Sequence, residues 1–184
     1  MKIGLIVTIF LVVILLLYII SIYNGLVTLR NRVKNSWAQI DVQLKNRADL
    51  IPNLVETVKG YAAHEKSTFD EVVKARNAAI SAKSIEETVN ANNMMAEALD
   101  KLMVVVEAYP ELKANSNFIS LQGDLKDTEE KIRYSRQFYN DIVLKYNNSI
   151  QVFPKNIFAS IFGFKEEAYF KIEDRDRDVV RVKF

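Results

Sequence analysis

Residues 5 to 23 read LIVTIFLVVILLLYIISIY, an apolar run without one charged side chain. As a helix these 19 residues reach about 28 Å, close to the roughly 30 Å of a bilayer's hydrocarbon. The pattern predicts a transmembrane helix that holds the chain to a lipid bilayer. A cleaved signal peptide fits less well. Its apolar core is usually about 7 to 15 residues long, and SIYNGLVTLR offers no small-x-small cleavage site. Tyr18 and Tyr23 stand near one end of the run, as aromatic residues do at a lipid-water boundary.

Beyond the run the apolar spacing becomes that of amphipathic helices. Leu26, Leu29, Val33, Trp37, Ile40 and Leu44 follow at intervals of 3, 4, 4, 3 and 4. This first seam is continuous with the anchor except at Gly25, a weak point of about 1 kcal/mol relative to Ala. Asp49 as a cap and Pro52 in a first turn predict a second helix starting there. Its apolar face is Leu54, Val55, Val58, Tyr61, Ala62, Phe69, Val72, Val73 and Ile80. Ser84 with Glu87 has the form of a capping box, followed by Ile85, Val89, Ala96, Leu99, Met103 and Val106, with Asn92 inside the seam. That helix stops before Tyr109-Pro110. In the fourth, Phe118, Leu121, Leu125, Thr128, Ile132, Ser135, Tyr139, Ile142, Tyr146 and Ser149 alternate spacings of 3 and 4, a heptad pattern of the coiled-coil type. Short connections make consecutive helices antiparallel neighbours. The expected fold is all-α: a transmembrane anchor (1–23), an up-and-down antiparallel four-helix bundle (24–153) and an aromatic and charged tail (154–184). Residues 26 to 153 are expected to fold without the anchor, and Trp37→Ala to cost about 3 to 5 kcal/mol as a large-to-small change in the seam.

In the tail, Ile157, Phe158, Ile161, Phe162 and Phe164 form one apolar face edged by Lys155 and Lys165. In an up-and-down bundle the chain returns here to the side from which it set out. Phe158, Ile161, Phe162 and Phe164 are therefore candidates for a membrane-interface contact. The alternative is a plug that closes the end of the bundle. Further on, Tyr169, Phe170 and Ile172 could pair with Val180, Val182 and Phe184 as a small hairpin, or the end could fray.

Charge changes this picture little. The formal net charge is +2, and after Lys2 is set aside 24 basic residues face 23 acidic ones. No basic excess marks a nucleic-acid partner. Arg30, Arg32 and Lys34 flank the apolar run and favour a cytoplasmic C-terminal domain. Cysteine is absent and His64 is the single histidine. A di-metal bundle site needs two Glu-x-x-His motifs, and a zinc-protease helix needs two histidines in HExxH. No serine sits in a GxSxG elbow, and no glycine-rich phosphate loop occurs. The acidic pairs Glu86-Glu87, Glu129-Glu130 and Glu166-Glu167 diverge by about 100° on a helix, as a solvated face does. No catalytic, cofactor-binding or metal-ligating residue is therefore nominated, and no cofactor is expected. His64 is read as a solvated helix residue, with pH sensing the alternative. Asp41, Gln43, Arg47, Asp49 and Asn53 stand where the first helix is expected to turn into the second. They either lock that turn or dock a partner.

The segment SWAQIDVQLKNRADLIPNLVETVKGYAAHE, Ser36 to Glu65, and the later YNNSIQVFPKNIFASIFGF, Tyr146 to Phe164, closely resemble the bacterial LemA family. Together with the anchor, the resemblance covers nearly the whole chain. It implies a single-pass membrane protein with a helical-bundle domain in the cell envelope, and it brings no enzymatic activity and no catalytic residue. The function expected is a non-enzymatic membrane-anchored adaptor that meets a membrane protein or copies of itself. A membrane-shaping protein acting on the lipid surface is the alternative, and a hydrolase the third reading.

Overall fold

The computed structural model describes residues 2–171. In chain order they form α1 (Lys2–Lys59), α2 (Lys66–Ser81), α3 (Ile85–Glu107), α4 (Pro110–Lys113), α5 (Ser116–Gln151) and α6 (Lys155–Ile161). No strand occurs among the described residues. The fold class is all-α, and α1 opens with the one described helix long and apolar enough to cross a membrane, none of that stretch being buried in the protein. Residues Ile172, Val180, Val182 and Phe184 of the expected hairpin lie outside the described residues.

The expected helix start at Asp49 is corrected. α1 runs without a break through Pro52 to Lys59. An interior proline removes one hydrogen bond and costs about 3 kcal/mol. Two features offset it here. Ile51, Leu54, Val55 and Val58 are all buried along one face of the helix. The carbonyl of Ala48, which Pro52 cannot serve, accepts instead from Nε of Arg76 in α2 at 2.9 Å. The turn comes later, where the carbonyl of Val58 accepts from the backbone N–H groups of both Tyr61 and Ala62.

Other boundaries follow local chemistry. Ser84 Oγ accepts from Glu87 N at 3.1 Å, and the Glu87 carboxylate accepts from Lys83 N at 2.7 Å, so the capping box closes one residue early. Asn115 Oδ1 accepts from Phe118 N at 3.0 Å and caps α5. At the end of α6, Gly163 takes φ 71°. Gly163 N donates to Ser160 O and Phe164 N to Ala159 O, a Schellman closure with buried Ala159 and Phe164 as its apolar contact.

The chain divides into two compact units, Met1–Ala38 with Gln137–Tyr169 and Gln39–Arg136 with Phe170–Phe184. In the second, one core gathers Ile51, Leu54, Val55 and Val58 of α1, Phe69, Val72 and Ala75 of α2, Met95, Leu99, Leu102 and Val106 of α3, and Phe118 and Leu125 of α5. The expected seam of α3 is buried at Asn92, Leu99 and Val106 and half-buried at Ile85, Val89 and Met103, but the buried face is wider and also takes in Ala91, Met95, Ala98 and Leu102. Ala96, expected in the seam, is exposed. In the first unit, Ile22, Leu26 and Val33 are buried, as are Tyr139, Ile142, Val143, Tyr146, Ala159 and Phe164. Ser36 is buried beside Trp37, which is half-buried and meets Tyr139 edge-on at 5.4 Å between ring centroids. The expected cost of Trp37→Ala accordingly falls to about 2 kcal/mol, since less apolar area leaves water there.

Candidate functional site

A buried guanidinium is the least expected feature of the second unit. The side chain of Arg47 is 1% exposed. Its Nη1 donates to Glu129 Oε1 at 2.9 Å and its Nη2 to Asn92 Oδ1 at 3.0 Å. A guanidinium away from water requires acceptors, and these come from α5 and α3. Glu129 keeps 43% of its side chain in solvent. The cluster is therefore a polar pin between helices with one end wet, and a good anchor for helix register. Asn92 was visible in the sequence as a polar residue inside an apolar seam. Glu129 was hidden in an ordinary acidic pair.

The other residues expected at a turn lie on an unbroken helix. Asp41, Asp49 and Asn53 are exposed, and Gln43 is half-buried and accepts from Asn46 at 3.4 Å. Asp49 caps no helix, because no helix starts there. Asp41 and Asp49 do line one cavity of about 390 Å³, together with Lys45 and the apolar Leu44, Ala79 and Ile80. Ile80 is 58% exposed. A wider apolar groove of about 630 Å³ is lined by Leu99, Met103, Ile119 and Leu125.

The tail residues separate into two groups. Phe164 is buried and Phe158 half-buried, whereas Ile161 and Phe162 are 69% and 44% exposed. The Phe164 ring lies 5.9 Å from that of Tyr23 and 5.1 Å from the guanidinium carbon of Arg30. Past Gly163 the chain through Lys171 has no regular secondary structure, and α5 holds its main chain. Tyr146 Oη donates to Lys165 O at 2.9 Å and Tyr139 Oη to Ala168 O at 2.8 Å. Asn147 exchanges two hydrogen bonds with the backbone of Glu167, both at 3.0 Å. Burial, with the charge of Glu167 adding to it, pushes the Tyr139 phenol up to about 12. Burial and the same carboxylate also raise Tyr146, with Arg30 opposing. Both phenols are thus held as donors. Their positions in the α5 seam were legible, but their use as clamps on a later segment was not, since period reports a face and not its occupant.

Among the described residues no group of three or more His, Asp or Glu side chains gathers as metal ligands do. The polar geometry described is that of helix pinning, segment clamping and surface cavities.

A family model described as the LemA family matches residues 36–184. The magnetosome protein MamQ 2 of Paramagnetospirillum magneticum is 26% identical over 175 residues, covering 81% of this chain and 64% of that protein. MamQ of Magnetospirillum gryphiswaldense is 26% identical over 174 residues, with 80% and 64% covered. Protein LemA of Metamycoplasma hominis is 22% identical over 156 residues, 84% of this chain and 71% of its own. The chain thus spans 64% of the length of the MamQ relatives it matches. The matched region takes in most of the helical architecture described above, from Ser36 and the Arg47 pin through the clamped segment, and on that ground the chain belongs to the LemA family.

Proposed function

We propose that this chain is a non-enzymatic, membrane-tethered adaptor of the bacterial cell envelope. Residues 5–23 hold it to the bilayer, residues 24–153 act as an up-and-down helical bundle, and the C-terminal domain faces the cytoplasm. Its partner is a membrane protein or a second copy of this chain. The observation that carries the reading is the cavity in which Asp41 and Asp49 stand over Leu44, Ala79 and the exposed Ile80. The apolar floor and a rim of two carboxylates with Lys45 between them, one negative charge in excess, suit an apolar side chain flanked by a basic residue, the usual anatomy of helix docking.

A photo-crosslinking residue at Ile80 of the full-length protein, activated in cells, tests this. The expected result is one discrete adduct, either self or a single other membrane protein, that weakens severalfold in Asp41→Asn/Asp49→Asn. Crosslinking no stronger than from the exposed position Asp127, or unchanged in the double variant, overturns the reading. A membrane-shaping role is the second reading, favoured by the exposed Ile161 and Phe162. Deformation of liposomes by the full-length chain, absent for the anchor alone, would replace the first reading by that one.

A further inference from the structure

A second cavity, independent of the docking reading, lies in the first unit where the apolar run gives way to charge. It measures about 490 Å³ and is lined by Tyr18, Ser21, Gly25 and Arg32 of α1, Ser149 of α5 and Lys155 at the start of α6. The α1 residues follow at intervals of 3, 4 and 7, so they share one helix face about 21 Å long. That face begins inside the membrane-spanning stretch and ends beyond it. Along α1 the lining runs Tyr18, Ser21, Ile22, Gly25, Leu26, Thr28, Leu29 and Arg32, apolar with two hydroxyls interspersed until the cation at its far end; Lys155 adds a second cation, and no acidic residue occurs in the lining. A Cβ built on Gly25 meets no atom within 4 Å, so the glycine leaves the floor open.

A second observation places α6 beside the end of the apolar run. Phe162 packs edge-on against Tyr23, the last residue of the apolar run, with ring centroids 5.0 Å apart. α6 is thereby held beside the mouth of the membrane-spanning helix. Ile157, Ile161 and Phe162 are 48%, 69% and 44% exposed. Apolar side chains in that position gain about 25 cal/mol for each Å² taken out of water, and the lipid surface is the medium at hand. Lys155, on the same short helix, then sits in the headgroup layer.

We propose that this cavity binds the phosphate-bearing headgroup of an anionic phospholipid. Arg32 and Lys155 contact the phosphate, the Ser149 hydroxyl donates to its oxygens, and the lipid runs from there past Ser21, about 16 Å along the helix from Arg32, with its acyl chains along the exposed Tyr18. The exposed apolar face of α6 dips into the same leaflet. A cationic side chain near an anionic surface contributes about 1 kcal/mol, so two give a preference over neutral lipid on the order of tenfold or more.

The test uses the full-length protein in a neutral detergent, with native mass spectrometry of adducts formed with short-chain phosphatidylglycerol, phosphatidylcholine or inorganic phosphate. The expected result is binding of phosphatidylglycerol about tenfold tighter than phosphatidylcholine, with inorganic phosphate weaker than either. Arg32→Gln/Lys155→Gln should abolish the preference, whereas the charge-matched Lys34→Gln/Lys145→Gln keeps it. Gly25→Leu retains every charge, strengthens the helix and fills the floor, so it should also lower lipid binding severalfold with helicity unchanged by circular dichroism. Equal binding of the two lipids, or an equal loss in both double variants, overturns the proposal in favour of diffuse surface charge. Inorganic phosphate binding as tightly as the lipid overturns it in favour of a free-anion site. Undiminished binding in Gly25→Leu places the lipid elsewhere and overturns it as well.

Discussion

Arg76 donates from Nε to the backbone carbonyl of Ala48 at 2.9 Å, the acceptor left open four residues before Pro52. A side chain of α2 thus completes the hydrogen bonding of α1. Arg76→Met should destabilise the full-length chain by about 1.5 to 3 kcal/mol, the range for hydrogen bonds from charged donors. In a Pro52→Ala background the restored N–H serves Ala48, and the same substitution should cost under about 1 kcal/mol. Urea unfolding of the four proteins in mild detergent measures the coupling. Equal costs in both backgrounds would show that Arg76 acts by packing alone.

The Arg47 pin makes an asymmetric prediction. Removing Glu129 strands a buried guanidinium with Asn92 as its remaining acceptor, whereas removing Arg47 frees a carboxylate that is already 43% in solvent. Glu129→Ala should therefore cost about 2 to 3 kcal/mol, because it strands a buried charge, and Arg47→Met about 1 to 2, because it leaves the buried Asn92 Oδ1 without its donor. The midpoints of denaturant unfolding give the order, and a reversed order refutes the account.

These two features mark what could be read from the sequence. The α5 seam from Phe118 to Ser149 was legible in full, because its apolar and small residues keep one period between polar neighbours, and all ten positions are buried or half-buried. The width of the α3 face was not. NMMAEALDKLMVVV carries apolar residues on adjacent positions, so the seam through Asn92, Leu99 and Val106 could be read but its extension to Met95 and Leu102 could not. Pro52 misled for a definite reason: its usual consequence is local, and the compensation by Arg76 comes from 28 residues away. Of the five polar residues expected together, the structure turns Arg47 inward and brings Asp41 and Asp49 to one cavity.

Gly163 holds φ 71° at the end of α6, with open space around a would-be Cβ. Gly163→Ala should cost about 1 kcal/mol from backbone strain alone. Gly163→Asn, which tolerates that region better, should recover part of it. Thermal unfolding of both variants is the check.

A soluble fragment ending at Phe153 loses the acceptors of Tyr139 and Tyr146 and the partner of Asn147. It also loses the Phe164 ring. Compared with 24–171, the fragment 24–153 should be less stable by about 2 to 4 kcal/mol, because about 1 kcal/mol for each of the four hydrogen bonds plus the lost apolar area is partly offset by the entropy of ordering the segment. Side-by-side denaturant curves decide it, and identical midpoints would show that the clamp contributes nothing.

Tyr139 is held neutral, its phenol pushed up to about 12 by burial. An unfolded chain ionises its tyrosines near 10, so above that pH it releases a proton the folded chain retains. This contribution is complete below about pH 10 and declines by about 1.4 kcal/mol per pH toward 12. Between pH 9 and 11.5 the full-length protein should lose stability more steeply than Tyr139→Phe, and parallel slopes would contradict it.

The grip on the segment after α6 reaches main-chain atoms of Lys165, Glu167 and Ala168 through Tyr146, Asn147 and Tyr139. Nothing in those three contacts depends on which side chains Lys165, Glu167 and Ala168 carry. At these positions the letters are free to change as long as the backbone keeps its path, while the letters doing the holding, on α5, are not. Glu166, which accepts from Gln151 at 2.7 Å, and the buried Phe164 are the places where the segment's own spelling enters the grip.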